Sequence, residues 1–273
     1  MHTPVLLDQV IEALEIKKDG LYIDATFGEG GYSRAILEKG GKVLAIDLDK
    51  EQVENSNDIT VVQGNFGDVE QIAKDNNFFP VDGVVFDLGL SMRQISQSGR
   101  GFSFKKLEEP LDMRMSLETE MTAKYLLNRL SEQELFDVFS RNSEEINSQK
   151  IAREVIIKRQ FKKLETVGDL IGCIDKAVGE SDNSAYKRIF QALRIQVNGE
   201  FENLKNGLLG ATEIIKDDGK IAVVTFHSLE DRIVKNFSKT AGIKLLNKKP
   251  IMNRRGRSFE KSAKLRLLVK SSL

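Results

Sequence analysis

Four short stretches carry residue types that could do chemistry together. In "FGEGGYS" (27–33), glycines stand at positions 28, 30 and 31. Without a Cβ, such a turn lets a ligand come close to the main chain and adopts positive φ cheaply. "AIDLDK" puts Asp47 seventeen residues after Gly30, where a carboxylate can accept hydrogen bonds from both hydroxyls of a ribose. "GNF" offers polar backbone and the Phe66 ring, a flat partner for an adenine, and "FDLGLS" ends in Asp87.

The spacing separates candidate nucleosides. A dinucleotide fingerprint needs a third glycine at position 33, where this chain has Ser33, and no G-x-x-x-x-G-K-[ST] phosphate loop occurs. S-adenosylmethionine carries no phosphate, so it suits a short glycine turn whose task is close approach to the methionine portion. Each residue also has a plainer reading. Asp47 could cap the helix expected near Lys50, Phe66 could be core, and Asp87 could form the turn before Gly89.

These residues must be positioned by elements that end where they stand. "LYIDATF" (21–27), "KVLAIDL" (42–48), "ITVVQGN" (59–65) and "VDGVVFDLGL" (81–90) read as strands with helices between them, and "GKIAVVTFHS" (219–228) as another. Runs apolar on both faces are the pattern of parallel strands covered by helices. In such a sheet, ligands bind beyond the carboxyl ends of the strands. Between about Leu117 and Leu209 the pattern turns to charged helical periods such as "SQKIAREVIIKRQF". The expected fold is therefore α/β, a Rossmann-like doubly wound sheet interrupted by a helical insertion. Its expected bounds are 1–108 for the first part of the sheet domain, 109–183 for the insertion and 184–273 for the second part with its basic segment.

Composition excludes some classes. No apolar run approaches the roughly 20 residues of a membrane span, and Met1 to Val10 has no export signal, so a cytoplasmic protein without a membrane partner is expected. The lone Cys173 reads as a core residue, and two histidines without a Cys-x-x-Cys offer no zinc site. Residues 244–273 hold ten Lys or Arg against Glu260 alone, a net +9 in a chain of zero formal charge. An anionic polymer such as nucleic acid is one partner that fits; a solvated tail is the alternative. In "KLRLLVK" (264–270) the alternation predicts Leu265, Leu267 and Val269 facing a core, with Lys264, Arg266 and Lys270 facing water.

The chain resembles the bacterial 16S ribosomal RNA cytosine-N4 methyltransferases of the RsmH or MraW type. The matching stretches are "HTPVLLDQV", "DATFGEGGYSRAIL", "DGVVFDLGLS", "GFSF", "LDMRM", "FQALRIQVNGE", "FHSLEDRIVK" and "RRGRSFEKSAKLR", which span nearly the whole chain. The resemblance implies a class I S-adenosylmethionine-dependent methyltransferase acting on a cytidine of 16S ribosomal RNA in the decoding region, within the small subunit. Cofactor contacts would fall on Gly30, Gly31, Tyr32, Asp47, Phe66, Asp87 and Gln94. Asp87 is also the candidate catalytic residue, and Arg114, His227, Arg254, Arg255 and Arg257 are candidate substrate contacts. Two departures stand out. Tyr32 replaces a common histidine, and "DLGLSMRQ" (87–94) replaces "DLGVSSPQ".

Plainer readings stay open here too. Arg114 could pair with Asp112 instead of a phosphate. His227 could be a satisfied strand-end histidine, with Glu230 and Asp231 as first-turn acids. Methylation of another amine, on DNA or protein, and a binding module that uses S-adenosylmethionine as a regulatory ligand are the rival functions. Neither the oligomeric state nor the choice between free RNA and an assembled subunit follows from the sequence.

Overall fold

The computed structural model describes residues 4–54, 59–89, 98–240, 242–253 and 260–271. It divides into two compact units, Met1–Gly89 with Phe201–Leu273, and Leu90–Glu200.

The first unit is built on one sheet. β1 (Leu21–Asp24), β2 (Lys42–Asp47), β3 (Val61–Gln63), β4 (Val81–Asp87) and β5 (Ile215–Thr225) run parallel. β6 (Ile243–Leu245), β7 (Ile251–Met252) and β8 (Lys264–Lys270) follow, with β8 antiparallel between β5 and β6 and β7 paired to β8. The order along the sheet is β3-β2-β1-β4-β5-β8-β6. The chain steps outward from β1 to β3 and then returns to lay β4 on the other side of β1. The switch point of this doubly wound sheet therefore lies between β1 and β4, where a crevice opens at the strands' carboxyl ends.

Both faces of the sheet are apolar, with a period of two residues. Ile23, Leu44, Ile46, Val84, Phe86, Ile221, Val223 and Leu268 enter one core, which also takes Val69 and Ala73 of α4 (Val69–Asp75) and Leu204 and Leu208. Tyr22, Val85, Ala222, Val224, Leu265 and Leu267 enter the other, with Val10, Ile11 and Leu14 of α1 (Leu7–Leu14) and Ile36 of α2 (Gly31–Glu38). A short α3 (Lys50–Glu54) follows β2.

The expected alternation fails in β8 beyond Leu265 and Leu267: Val269 is only half-buried, Leu268 on the opposite face is fully buried, and Lys270 turns its Nζ to the carbonyls of Thr212 and Ile215. Arg266 does not face water; it is buried, and its guanidinium grips Asp231 through Nε at 2.7 Å and Nη2 at 3.0 Å. Nη1 also donates to the carbonyls of Asn247 and Lys248. An inner strand has neighbours on both faces, so a cation there needs a buried partner. Alternation alone does not reveal it.

The second unit is helical. α5 (Ala123–Arg129), α6 (Glu132–Ser143), α7 (Ser148–Phe161), α8 (Val167–Val178) and α9 (Asn183–Asn198) close one core of Leu127, Leu135, Phe139, Ile151, Val155, Leu170, Ile174, Ile189 and Leu193. Reciprocal capping boxes, Ser131 with Glu134 and Thr166 with Asp169, start α6 and α8. The unit is wider than 109–183. α9 lies beyond that bound, yet Ile189, Phe190 and Leu193 belong to the helical core, and Phe102 joins it from the other side. Cys173 is part of this core, and burial pushes its thiol up to about 11. Gly199, at φ +61, ends α9, and α10 (Glu200–Ile214) and α11 (Ser228–Phe237) follow. Among the described residues no helix is long and apolar enough to cross a membrane.

Candidate active site

The carboxyl ends of β1, β2 and β4 bring three acids to the switch point. Asp24 ends β1 completely buried, and its Oδ2 accepts from Ser33 N at 3.1 Å and Ser33 Oγ at 2.6 Å. Asp47 ends β2 and accepts from Gly28 N at 2.7 Å and Asp49 N at 2.8 Å. Among the described residues no bond ties it to the first turn of α3; its partners lie in the glycine turn and at Asp49, so it shapes the glycine turn. Asp87 ends β4, where its own N–H donates to Thr26 Oγ1 at 2.7 Å and locks β4 to the strand beside it.

Among the described residues no cation offsets these acids. Burial pushes the Asp87 carboxyl up to about 7; the Gly89 N–H opposes this, the Asp24 charge adds to it, the Tyr32 hydroxyl opposes it and the Glu230 charge adds again. Burial likewise lifts Asp47 to about 6 against the N–H groups of Asp49 and Gly28, and raises Asp24 against its bonds from Ser33 and Thr26. Among the described residues, no Lys or Arg contributes to holding any of the three charged. Nor does any group of three His, Cys, Asp or Glu there converge as a metal cluster. The site is an acidic floor fitted to a ligand that brings its own positive charge.

The glycines divide the work in an unexpected way. A Cβ on Gly31 would fall 2.2 Å from Cγ of Pro4, and one on Gly30, at φ +74, 2.6 Å from the Phe27 ring. Both are required by protein packing. Gly28, at φ +52, is the glycine whose missing side chain faces open space, with nothing nearer than a carbonyl at 4.0 Å. Tyr32 is buried under the turn, where its hydroxyl donates to Val5 O at 2.5 Å and lies in hydrogen-bonding contact with Asp87. It ties the N-terminal segment to the acid.

Comparison with known proteins fits this arrangement. The model of the MraW methylase family matches residues 1–270. Curated relatives named ribosomal RNA small subunit methyltransferase H include those of Ehrlichia canis, 40% identical over 99% of this chain and 100% of that protein, and Dictyoglomus thermophilum, 40% identical over 98% and 96%. A third, from Clostridium botulinum, is 37% identical over 98% of each chain. The chain belongs to the MraW methylase family.

The remaining site residues of this MraW-family chain take varied places. Phe66 opens a single 3-10 turn after β3 with its ring half-buried, edge-on to Phe86 at 5.8 Å between centroids. His227 caps α11: Nδ1 accepts from Glu230 N at 3.3 Å, while Glu230 Oε2 accepts from Phe226 N at 2.7 Å and His227 N at 3.2 Å. With Nδ1 accepting, the neutral ring carries its hydrogen on Nε2, which lies 3.0 Å from Glu230 Oε1. Nδ1 is committed to the cap, but the ring is not the satisfied histidine of the plainer reading, since buried Nε2 makes no hydrogen bond to a described residue. Arg114 is committed as well, in a two-pronged bond to Asp112 at 2.8 Å per prong and a bond to Thr119 O at 2.6 Å. Gln94, Arg254, Arg255 and Arg257 lie outside the described residues.

The sequence reading missed Asp24, Ser33 and Thr26 as parts of the site. Asp24 carried a signal, an acid closing an apolar strand. Ser33, which breaks the dinucleotide fingerprint, is the residue that satisfies Asp24.

Proposed function

We propose that this chain methylates N4 of a cytidine in the decoding region of 16S ribosomal RNA, within the small subunit in the cytoplasm, using S-adenosylmethionine. The observation that carries the reading is the acidic floor at the switch point, with Asp24, Asp47 and Asp87 unpaired by any described cation. Such a floor is complementary to a sulfonium, and the open face at Gly28 leaves room for a close approach to the main chain. Bound there, S-adenosylmethionine would supply an electrophilic methyl group on a positively charged sulfur. Asp47, at the end of β2, is the residue to hold the ribose hydroxyls, and Phe66, three residues beyond β3, the residue to flank the base.

The acceptor is the harder partner, because the cytosine amine shares its lone pair with the ring. The protein must hold the extruded base and receive a proton as nitrogen forms its new bond. Asp87 suits that role. Its carboxyl titrates at about 7, so above neutrality it is ionised and still a competent base. His227 is unsuited, since its one accepting nitrogen is taken by the backbone of α11. The helical unit and the basic segment at 254–257 serve RNA recognition in this reading.

Nucleoside mass spectrometry on 16S ribosomal RNA tests it. Cells lacking the gene should lose N4-methylation at one cytidine, and purified protein should restore it on small subunits. Unchanged nucleosides would sink the assignment. Binding of the donor without methyl transfer to RNA, DNA or protein would favour a regulatory binding module.

A further inference from the structure

At Tyr32 one hydrogen has two claimants. The residue is the second of α2 and only 2% exposed, packed in one core with Val5, Leu6 and Val10. Its hydroxyl donates to Val5 O at 2.5 Å and also meets the Asp87 carboxyl as a hydrogen-bond partner. The acceptor at Val5 is held in place. A Cβ on Gly31 would fall 2.2 Å from Pro4, so the segment that carries Val5 is pressed against the start of α2.

A phenol has one hydrogen to donate and lone pairs with which to accept. With Asp87 protonated, both contacts of the hydroxyl are satisfied at once: the acid donates to the Tyr32 oxygen, and Tyr32 donates to Val5 O. With Asp87 ionised, two acceptors compete for the one hydrogen, and a carboxylate draws it more strongly than a carbonyl does. The other groups facing Asp87 leave that competition open. Gly89 N donates to Oδ1 at 3.4 Å from the turn after β4, and the Thr26 hydroxyl beyond β1 accepts from the Asp87 N–H. Asp24 of β1 and Glu230 of α11 bring negative charge only. Burial, with the charges of Asp87 and Asp24 added, holds the Tyr32 hydroxyl well above its ordinary value, so it donates a hydrogen bond and keeps its proton.

We propose that Tyr32 is a positioning residue for the proton transfer, its hydrogen turned to the Asp87 carboxylate while that group is the base and to Val5 O once the acid holds the proton. The proposal rests on the reading of Asp87 as the base in methyl transfer. The proton leaves the amine nitrogen, the electron pair of the broken bond stays on that nitrogen, and the proton ends on an Asp87 oxygen. Release from Asp87 to solvent completes the cycle. Tyr32 keeps its own hydrogen throughout and changes only where it points, so the carboxylate is steadied before the transfer and the acid finds an acceptor after it.

Tyr32→Phe on the full-length protein tests it by two measurements. In urea unfolding of the free protein, the loss of stability that follows ionisation of Asp87 should continue about one pH unit higher than in the wild type, because the ionised form has lost a donor. Asp87→Asn in both backgrounds should abolish that difference. In methyl transfer to small subunits at saturating donor, the acid limb of the pH profile should move upward by a similar amount, with most of the rate regained above it. A ring-fluorinated tyrosine placed at position 32, a stronger donor of nearly the same shape, should move both curves the other way, and it carries the test if Tyr32→Phe does not fold. Curves at the wild-type pH in both variants would overturn the proposal and leave Tyr32 as packing, whatever the change in overall stability. Should the wild type methylate no RNA, the functional reading fails on that measurement, while the free-protein curves still decide whether Tyr32 and Asp87 share the hydrogen.

Discussion

Acids are treated in opposite ways in the helical unit and at the switch point of the sheet. In the helical unit three acids withdrawn from solvent each have a cation: Asp112 with Arg114, Glu145 with Arg188 at 2.5 Å, and Glu200 with Arg194 at 2.8 and 2.9 Å. Burial alone would raise Asp112, but the guanidinium of Arg114 holds it below its ordinary value. In the sheet unit Asp24, Asp47 and Asp87 receive only N–H and hydroxyl groups, and burial wins. Where acids are paired, charge serves the fold. Where they are left unpaired at a switch point, the free protein carries an unfavourable field that a cationic ligand relieves.

The largest consequence should appear at Asp87. If it receives the amine proton, Asp87→Asn should lower the rate at saturating donor by roughly 10²–10⁴-fold while the donor's dissociation constant changes much less. Equal losses in both would make Asp87 a cofactor residue only. The same group sets a pH dependence of folding. Its folded value, about 7, lies above its unfolded value, 3.8, so the protonated form is favoured in the fold. That contribution is present below about pH 4 and is lost as pH rises toward 7. Urea unfolding of the free protein should show that loss, Asp87→Asn should remove its upper part, and added donor should offset it above neutrality. A wild-type slope in the variant would break the contrast.

In the helical unit, breaking a pair should cost stability and nothing else. Glu145 is buried, and its Oε1 also accepts from Asn147 N at 2.8 Å. Arg188→Ala strands that carboxylate and should destabilise the protein by about 3 kcal/mol. Calorimetric donor binding should stay as it was. A weakened donor site would mean that acids of the two units are not separable.

Asp47→Ala should weaken donor binding by about 1.5–3 kcal/mol with the fold retained. The change removes the acceptor for Gly28 N as well as a ribose partner, so both contributions fall in the same direction. Calorimetry on the folded variant with unaltered affinity would remove Asp47 from the site.

Legibility followed the range of the interactions. Strand ends and the acids upon them could be read because apolar runs and their closing residues are local. Arg266 could not be read, since Asp231 lies 35 residues away and alternation carries no trace of it. Gly31 was readable as a bare position, but the atom that needs it bare belongs to Pro4, across a packing contact. The extent of the helical unit was hidden for a similar reason: an apolar stripe on α9 says that the helix is buried without saying in which core. Tyr32 looked like a cofactor contact at its place in the turn, and burial gave its hydroxyl to Val5.

The smallest expected effects bear on which arginines meet RNA. Arg114 and the cluster of Arg254, Arg255 and Arg257 were candidates of the same kind in the sequence; of these only Arg114 lies among the described residues, and it is paired. Arg114 spends its fork on Asp112, a short-range pair with both side chains about one-fifth exposed. A guanidinium so held releases no counterion when a phosphate approaches. Arg114→Gln should therefore leave the salt slope of RNA binding unchanged, with a stability loss of about 1 kcal/mol or less. Changing all three of Arg254, Arg255 and Arg257 to Ala should flatten that slope by roughly two to three units and lower affinity for RNA of any sequence, with donor binding unaffected. Filter binding at several salt concentrations measures both. A flattened slope in Arg114→Gln would show the Asp112 pair opening for phosphate, and an unchanged slope in the triple variant would return the segment to a solvated tail.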